Sequence, residues 1–213
     1  MHVTDPRHEI IAVTLALDAA GLVPNKSGNV SARTADGYLI TPAGTPYRDL
    51  QAADLVALSL IDAPPAAGQR PSSEWRRHAA IYRARPDVQA IVHTHSPHAT
   101  ALACAGRGIP AFHYMIALAG GDIRCMPYAT FGTAELAQSA VHGLKGRRAC
   151  LLANHGVMAV GTTLARAHAV AIEVENLARE YLLLLGAGLE PQLLDDAEIE
   201  RVIGSFTGYG RLG

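Results

Sequence analysis

The chain has 213 residues, 49% of them hydrophobic and 17% charged, with a formal net charge of −1. Those totals suit a single globular domain over residues 1–213 with a substantial core, and they argue against a nucleic-acid or membrane-surface partner, which a basic block would announce. No apolar run approaches the roughly 20 residues that span a bilayer. Met1 to Arg7 lack the basic, apolar and small-residue pattern of a secretory signal. Cys104, Cys125 and Cys150 are scattered and odd in number, which fits reduced thiols in the cytoplasm better than a disulfide framework.

In chain order, Asp5 and Pro6 open a helix that runs to Ala20, with Gly21 just past its end. Pro24 to Asn29 reads as a loop. Val30–Arg33 and Tyr38–Thr41 read as paired strands around an Asp36-Gly37 turn signal, and Leu55–Leu60 as a further strand. After a linker rich in Pro, Ala and Gly, Ser72-Ser73 can cap a helix from Glu74 to Arg85, closed by Pro86. Ala90 to His95 reads as a short buried strand that ends in two histidines, His93 and His95. A helix over Pro97–Ala105, a strand over Ile109–Leu118 and a helix over Thr133–Lys145 follow. Ala149 to Val160 reads as two strands joined through Asn154-His155-Gly156. A long helix spans Thr163–Leu185, and Asp195-Asp196-Ala197-Glu198 resembles a capping box for a last short helix. Hairpin signals among the strands predict a three-layer α/β/α domain with a largely antiparallel or mixed sheet, not a doubly wound one.

Side chains two apart on a strand share a face, so His93 and His95 present two imidazoles to one point. His155, at another strand end beside a glycine, offers a third. Three neutral imidazoles bind a divalent first-row metal, zinc foremost, and leave a position open. His98 and His113 compete for the third place, and ordinary hydrogen-bonded histidines are the plainer account of all five. Glu74 is a candidate general base or fourth ligand; a first-turn glutamate facing the helix dipole is the plainer account. Ser27-Gly28-Asn29, Ala43-Gly44 and Ser72-Ser73 carry the small residues and donors that hold phosphate at loops and helix N-termini, though each alone is more often a turn. Lys26 adds a charge beside them. Tyr114 and Tyr209 are phenols able to give a proton near a substrate.

Several stretches together resemble one family, the class II aldolase/adducin family, and within it the L-fuculose-1-phosphate aldolase branch. They are Gly28-Asn29-Val30-Ser31, Leu39-Ile40-Thr41-Pro42, Pro71-Ser72-Ser73-Glu74-Trp75-Arg76, Val92-His93-Thr94-His95, Ile109 to Ile116, Pro127 to Thr133 and Asn154-His155-Gly156. The resemblance runs from about Ile10 to Tyr209. It implies a largely antiparallel sheet between helical layers and a homotetramer with active sites at subunit interfaces. It implies one Zn²⁺ per subunit on His93, His95 and His155, with Glu74 as acid/base and fourth ligand. It implies a phosphate pocket of Gly28, Asn29, Gly44, Ser72 and Ser73, a proton-donating Tyr114 from the neighbouring subunit, and Phe131 and Tyr209 on the aldehyde side.

The implied reaction is cleavage of a ketose 1-phosphate to dihydroxyacetone phosphate and a small aldehyde. Fuculose, 5-deoxyribulose and 5-methylthioribulose 1-phosphates are all candidates. A 4-epimerase or a dehydratase on the same scaffold is the alternative enzyme, although the epimerases carry aspartate at the position of Glu74. An adducin-like interaction module is the non-enzymatic alternative. Ala43 and Lys26-Ser27 depart from the resembled branch, which has threonine at the first position and Thr-Ala at the pair.

Overall fold

The computed structural model describes residues 5–61 and 64–209, with the side chains of the last helix described through Phe206. Its centre is a seven-stranded sheet of β1 (Asn29–Thr34), β2 (Gly37–Ile40), β3 (Val56–Leu58), β4 (Ala90–Thr94), β5 (Arg124–Met126), β6 (Ala149–Leu152) and β7 (Gly156–Gly161), in the order β3-β2-β1-β4-β7-β6-β5. All neighbours pair antiparallel except β5 with β6. The three-layer, mainly antiparallel architecture is the expected one.

Alternation along the strands sorts side chains into two apolar cores. Val30, Ala32, Ala90, Val92, Leu151, Val157 and Ala159 pack against α1 (Arg7–Ala19), α3 (Pro97–Cys104) and α5 (Leu164–Gly186). Ile40, Ile91, Cys150, Leu152, Met158 and Val160 pack against α2 (Trp75–Ala84) and α4 (Ala134–Gly143). A last helix, α6 (Asp196–Tyr209), sends Ile199 into the first core. His93 has the parity of Ile91, and Asn29 and Ser31 have the opposite parity to Val30, so all three polar side chains face the α2 layer. Among the described residues no helix is long and apolar enough to cross a membrane.

Three local expectations are corrected. Ile109–Leu118 is not a strand: Ile109 makes one isolated bridge to Ile123, and Tyr114–Ala119 forms a 3₁₀ helix ending at Gly120 with φ +86°. Pro110 cannot donate to a ladder, and the His113 ring caps the turn by accepting the Met115 N–H at 3.2 Å. The apolar run was equally compatible with a buried helix. Second, β5 was not anticipated; three residues at a sheet edge carry almost no periodic signal. Third, α2 begins at Trp75, so Glu74 is its N-cap residue rather than part of its first turn. The Ser72 hydroxyl accepts the Glu74 N–H at 3.4 Å, and neither serine caps the helix.

Candidate active site

Strand β4 delivers the histidines. It runs apolar through Ile91 and Val92, fully buried, and its last residues lie between β1 and β7. The His93 ring is completely buried, and its Nδ1–H donates to the Val157 carbonyl at 2.7 Å. A carbonyl can only accept, so this bond assigns the tautomer and leaves the Nε2 lone pair pointing the other way. It points at His95 Nε2, 2.9 Å off, and at Glu74 Oε2, 3.1 Å off. His155 reaches the same point from the β6–β7 turn, where Asn154 takes the left-handed conformation (φ +56°) that asparagine tolerates. Its Nε2 lies 2.9 Å from Glu74 Oε1.

One ring nitrogen from each of His93, His95 and His155 lies within 4.8 Å of the others. Burial drives His93 well below the usual imidazole pKa and His95 down to about 4, with His155 adding to the shift in both, so these two rings are neutral near pH 7. Neutral rings and a carboxylate directing lone pairs at one point is an arrangement that a cation completes. The three histidines can therefore hold a metal ion. The second-tier bond from His93 to a backbone carbonyl is the kind that orients a metal-binding imidazole.

Glu74 is buried and multiply held. Its Oε2 accepts from Asn29 Nδ2 at 2.9 Å and from the Arg77 guanidinium. Burial opposes its ionisation, but the hydrogen bond with His155 and the charge of Arg77 outweigh burial and hold the carboxyl well below its usual range. Asn29 is fixed in turn. Its Oδ1 accepts from His78 Nε2 at 2.6 Å, and behind His78 stand Ser31 (2.7 Å to Nδ1) and Tyr82 (2.8 Å from its hydroxyl to Ser31). Asn29, expected at an anion pocket, thus commits its side chain to Glu74 and His78. Arg77, His78, Ser31 and Tyr82 were missed by the sequence reading. The only sequence trace of them is polar residues at β1 positions 29 and 31 and one helical turn apart on α2.

The cluster floors a cleft of about 630 Å³, a volume in the range of small-molecule sites. Gly28, Asn29, Gly44, Ser72, Ser73, Glu74, His95, His155 and Phe131 line it, so nearly every expected residue converges there. Lys26, Ser27, Thr100, Tyr128 and Asn154 line it too. Lys26 is the one lysine or arginine among them; it sits at φ +61° with Nζ 3.5 Å from the Gly44 carbonyl. The Ser27 and Thr100 hydroxyls are buried with no hydrogen-bond partner among the described residues, which leaves them open to a ligand oxygen. Gly28 is required by closeness: a Cβ there would lie 2.2 Å from Val23 Cγ1 and 2.7 Å from the His93 carbonyl oxygen.

His98 and Tyr114 lie outside this cleft. His98 sits on α3, where its Nδ1 pairs with Glu175 Oε1 at 2.7 Å, and it is not one of the three clustered histidines. Tyr114 does not line this cleft; it is 51% exposed and its ring lies 6.4 Å from that of Phe206. Tyr209 ends α6, and its side chain lies outside the described residues.

Residues 8–182 match the family described as Class II Aldolase and Adducin N-terminal domain. The chain is 49% identical over 205 residues to the 5-methylthioribulose-1-phosphate/5-deoxyribulose-1-phosphate aldolase of Rhodospirillum rubrum, covering 96% of this chain and 92% of that one. It is 45% identical over 203 residues to the L-fuculose phosphate aldolase of Escherichia coli, covering 95% and 94%. A solved L-fuculose 1-phosphate aldolase superposes with a TM-score of 0.90 at 39% identity, covering 97% of this chain and 98% of that one.

Proposed function

We propose a reaction for this chain, which belongs to the class II aldolase and adducin family and is an aldehyde-lyase: reversible cleavage of a ketose 1-phosphate to dihydroxyacetone phosphate and a small aldehyde. The observation that carries this reading is the convergence of three imidazoles and one ionised, buried carboxylate on the floor of a sugar-sized cleft. Relatives named for fuculose, 5-deoxyribulose and 5-methylthioribulose phosphates set the substrate class. These substrates differ at the aldehyde end, where an apolar methyl or methylthio group is worth only ~1–3 kcal/mol of discrimination.

His93, His95 and His155 would hold a divalent cation, zinc by the all-nitrogen donor set, and such a cation supplies Lewis acidity to a carbonyl and its neighbouring hydroxyl. Breaking the C3–C4 bond leaves an electron pair on C3 and turns the C4 hydroxyl into an aldehyde, so one proton must leave that oxygen and one must reach C3. Glu74 serves C3: it returns the proton in cleavage and removes it in synthesis. Its ionised state suits the second task. The proton on the aldehyde oxygen falls to Tyr114 of a neighbouring subunit, a reading supported by its exposure away from its own cleft. Gly28, Asn29, Gly44, Ser72 and Ser73 take the phosphate, with Lys26 as the local charge and the Asn29 side chain shared with Glu74. Phe131 and Tyr209 shape the aldehyde side. In this reading the protein is a single cytoplasmic domain assembled as a homotetramer.

The test is a coupled assay for dihydroxyacetone phosphate across fuculose, 5-deoxyribulose and 5-methylthioribulose 1-phosphates, with epimerisation and dehydration scored in parallel. Zinc-dependent release of dihydroxyacetone phosphate from at least one of them is expected. Epimerised or dehydrated product without it would replace the aldolase reading with the alternative chemistry.

A further inference from the structure

Arg77 is out of place for a residue concerned with stability. It lies in the first turn of α2, three residues after Glu74, and its side chain is 3% exposed. Its Nη2 donates to Glu74 Oε2. Its Nε and Nη1 are buried with no partner among the described residues. Beside it lies a void of about 10 Å³, lined by Glu74, Arg76, Arg77, Gly132, Thr133 and Leu136, with room for about one water molecule. A buried guanidinium with one ionic partner and two idle donors gains little net stability. What it does accomplish is electrostatic, and its one ionic contact among the described residues is with Glu74.

That group has two competing uses. The Glu74 carboxylate lies 2.9 Å from His155 Nε2 and 3.1 Å from His93 Nε2, so it stands where a fourth ligand would close a three-imidazole metal site. A carboxylate engaged as a ligand blocks the position that substrate oxygens need and spends the lone pairs that a base requires. Arg77 contacts the same oxygen that faces His93 and brings a permanent positive charge to it. We propose that Arg77 is a positioning residue that holds Glu74 back as a proton carrier by weakening it as a metal ligand, and that it thereby sets a lower metal affinity than the three histidines and the glutamate would give alone. The inference rests on the aldolase reading for its catalytic half and on the histidine cluster for its metal half.

The experiment measures both halves separately. Zinc affinity of the metal-free protein is read by competition with a chromophoric chelator, and kcat and KM are read on whichever ketose 1-phosphate the wild type cleaves. In Arg77→Met, zinc binding is expected to tighten by at least about tenfold, because a like charge near the dication is removed. In the same variant kcat falls by at least about tenfold while KM changes less than about threefold, the pattern of an interaction that matters to the chemical step. Arg77→Lys keeps the charge, so its zinc affinity stays within about threefold of wild type and it recovers part of kcat. Should Arg77→Met fail to fold, Arg77→Gln keeps a donor without the charge and carries the same expectations.

Zinc affinity that is unchanged or weaker in the neutral variant overturns the proposal, as does an unchanged kcat. A wild type with no aldolase activity would sink the proposed reaction instead, and would leave the metal half standing if the affinity shift appears.

Discussion

The amide of Asn29 donates to Glu74 Oε2 at 2.9 Å, joining residues 45 apart in sequence. The bond can run in only one direction. The Asn29 oxygen is taken by His78 Nε2–H at 2.6 Å, whose Nδ1 in turn faces the Ser31 hydroxyl at 2.7 Å. A directed chain therefore leads from the Tyr82 hydroxyl through Ser31, His78 and Asn29 to the carboxylate, and every member presents a donor towards Glu74. The carboxylate is pre-oriented before any substrate arrives, which is how a site avoids reorganising during reaction.

Replacing Glu74 with glutamine keeps the shape and removes the base. The expected result is a kcat lower by about 10²–10⁴-fold with zinc still bound at one per subunit. Coupled dihydroxyacetone phosphate assays and elemental analysis of the same preparation check both parts. Near-normal turnover would remove Glu74 from the chemistry.

Loss of one imidazole opens the metal position. His95→Ala is expected to be isolated with far less than one zinc per chain and to lack cleavage activity. Treating the wild type with a chelator should do the same reversibly, activity returning with added zinc. Full activity in a metal-free preparation would contradict the role given to His93, His95 and His155.

Lys26 is the local positive charge of the cleft, and it touches no group on the reacting carbons in the proposed binding mode. Lys26→Met should therefore raise KM for a ketose 1-phosphate by about tenfold and leave kcat within about threefold, as expected for uniform binding. The KM effect should shrink at high salt, because exposed charges are screened. An unchanged KM would make Lys26 a solvated loop residue.

His78 links the network to acid stability. Burial, helped by Arg77, lowers its pKa from 6.5 to about 3. Between those values the unfolded chain binds a proton that the folded chain refuses. Stability from this group is thus complete above about pH 6.5 and declines as pH falls towards 3, by at most roughly 1.4 kcal/mol per pH unit. Urea unfolding of the metal-free protein from pH 7 to 4 should show a steeper loss for wild type than for His78→Gln. Equal slopes would mean that His78 is protonated in the fold.

The pairing of β1 with β2 and the amphipathic helices were legible because they follow local periodicities. The parity that puts His93 and His95 on one face is likewise a property of any strand. Local pattern failed where it is degenerate. Ile109–Leu118 is apolar whether it becomes strand or 3₁₀ turn, and the three residues of β5 are strand only because β6 lies beside them.

The sequence by itself therefore determined the kinds of ligand and base available and the layered fold that carries them. Tertiary structure alone decided which nitrogen of His93 bears its proton, that Asn29 serves Glu74, and that Arg77 is buried against the same carboxylate. Those outcomes depend on strand register and on the seat of α2 against β1. The energies of burial and hydrogen bonding act between residues that are distant in the chain, and no local pattern encodes them.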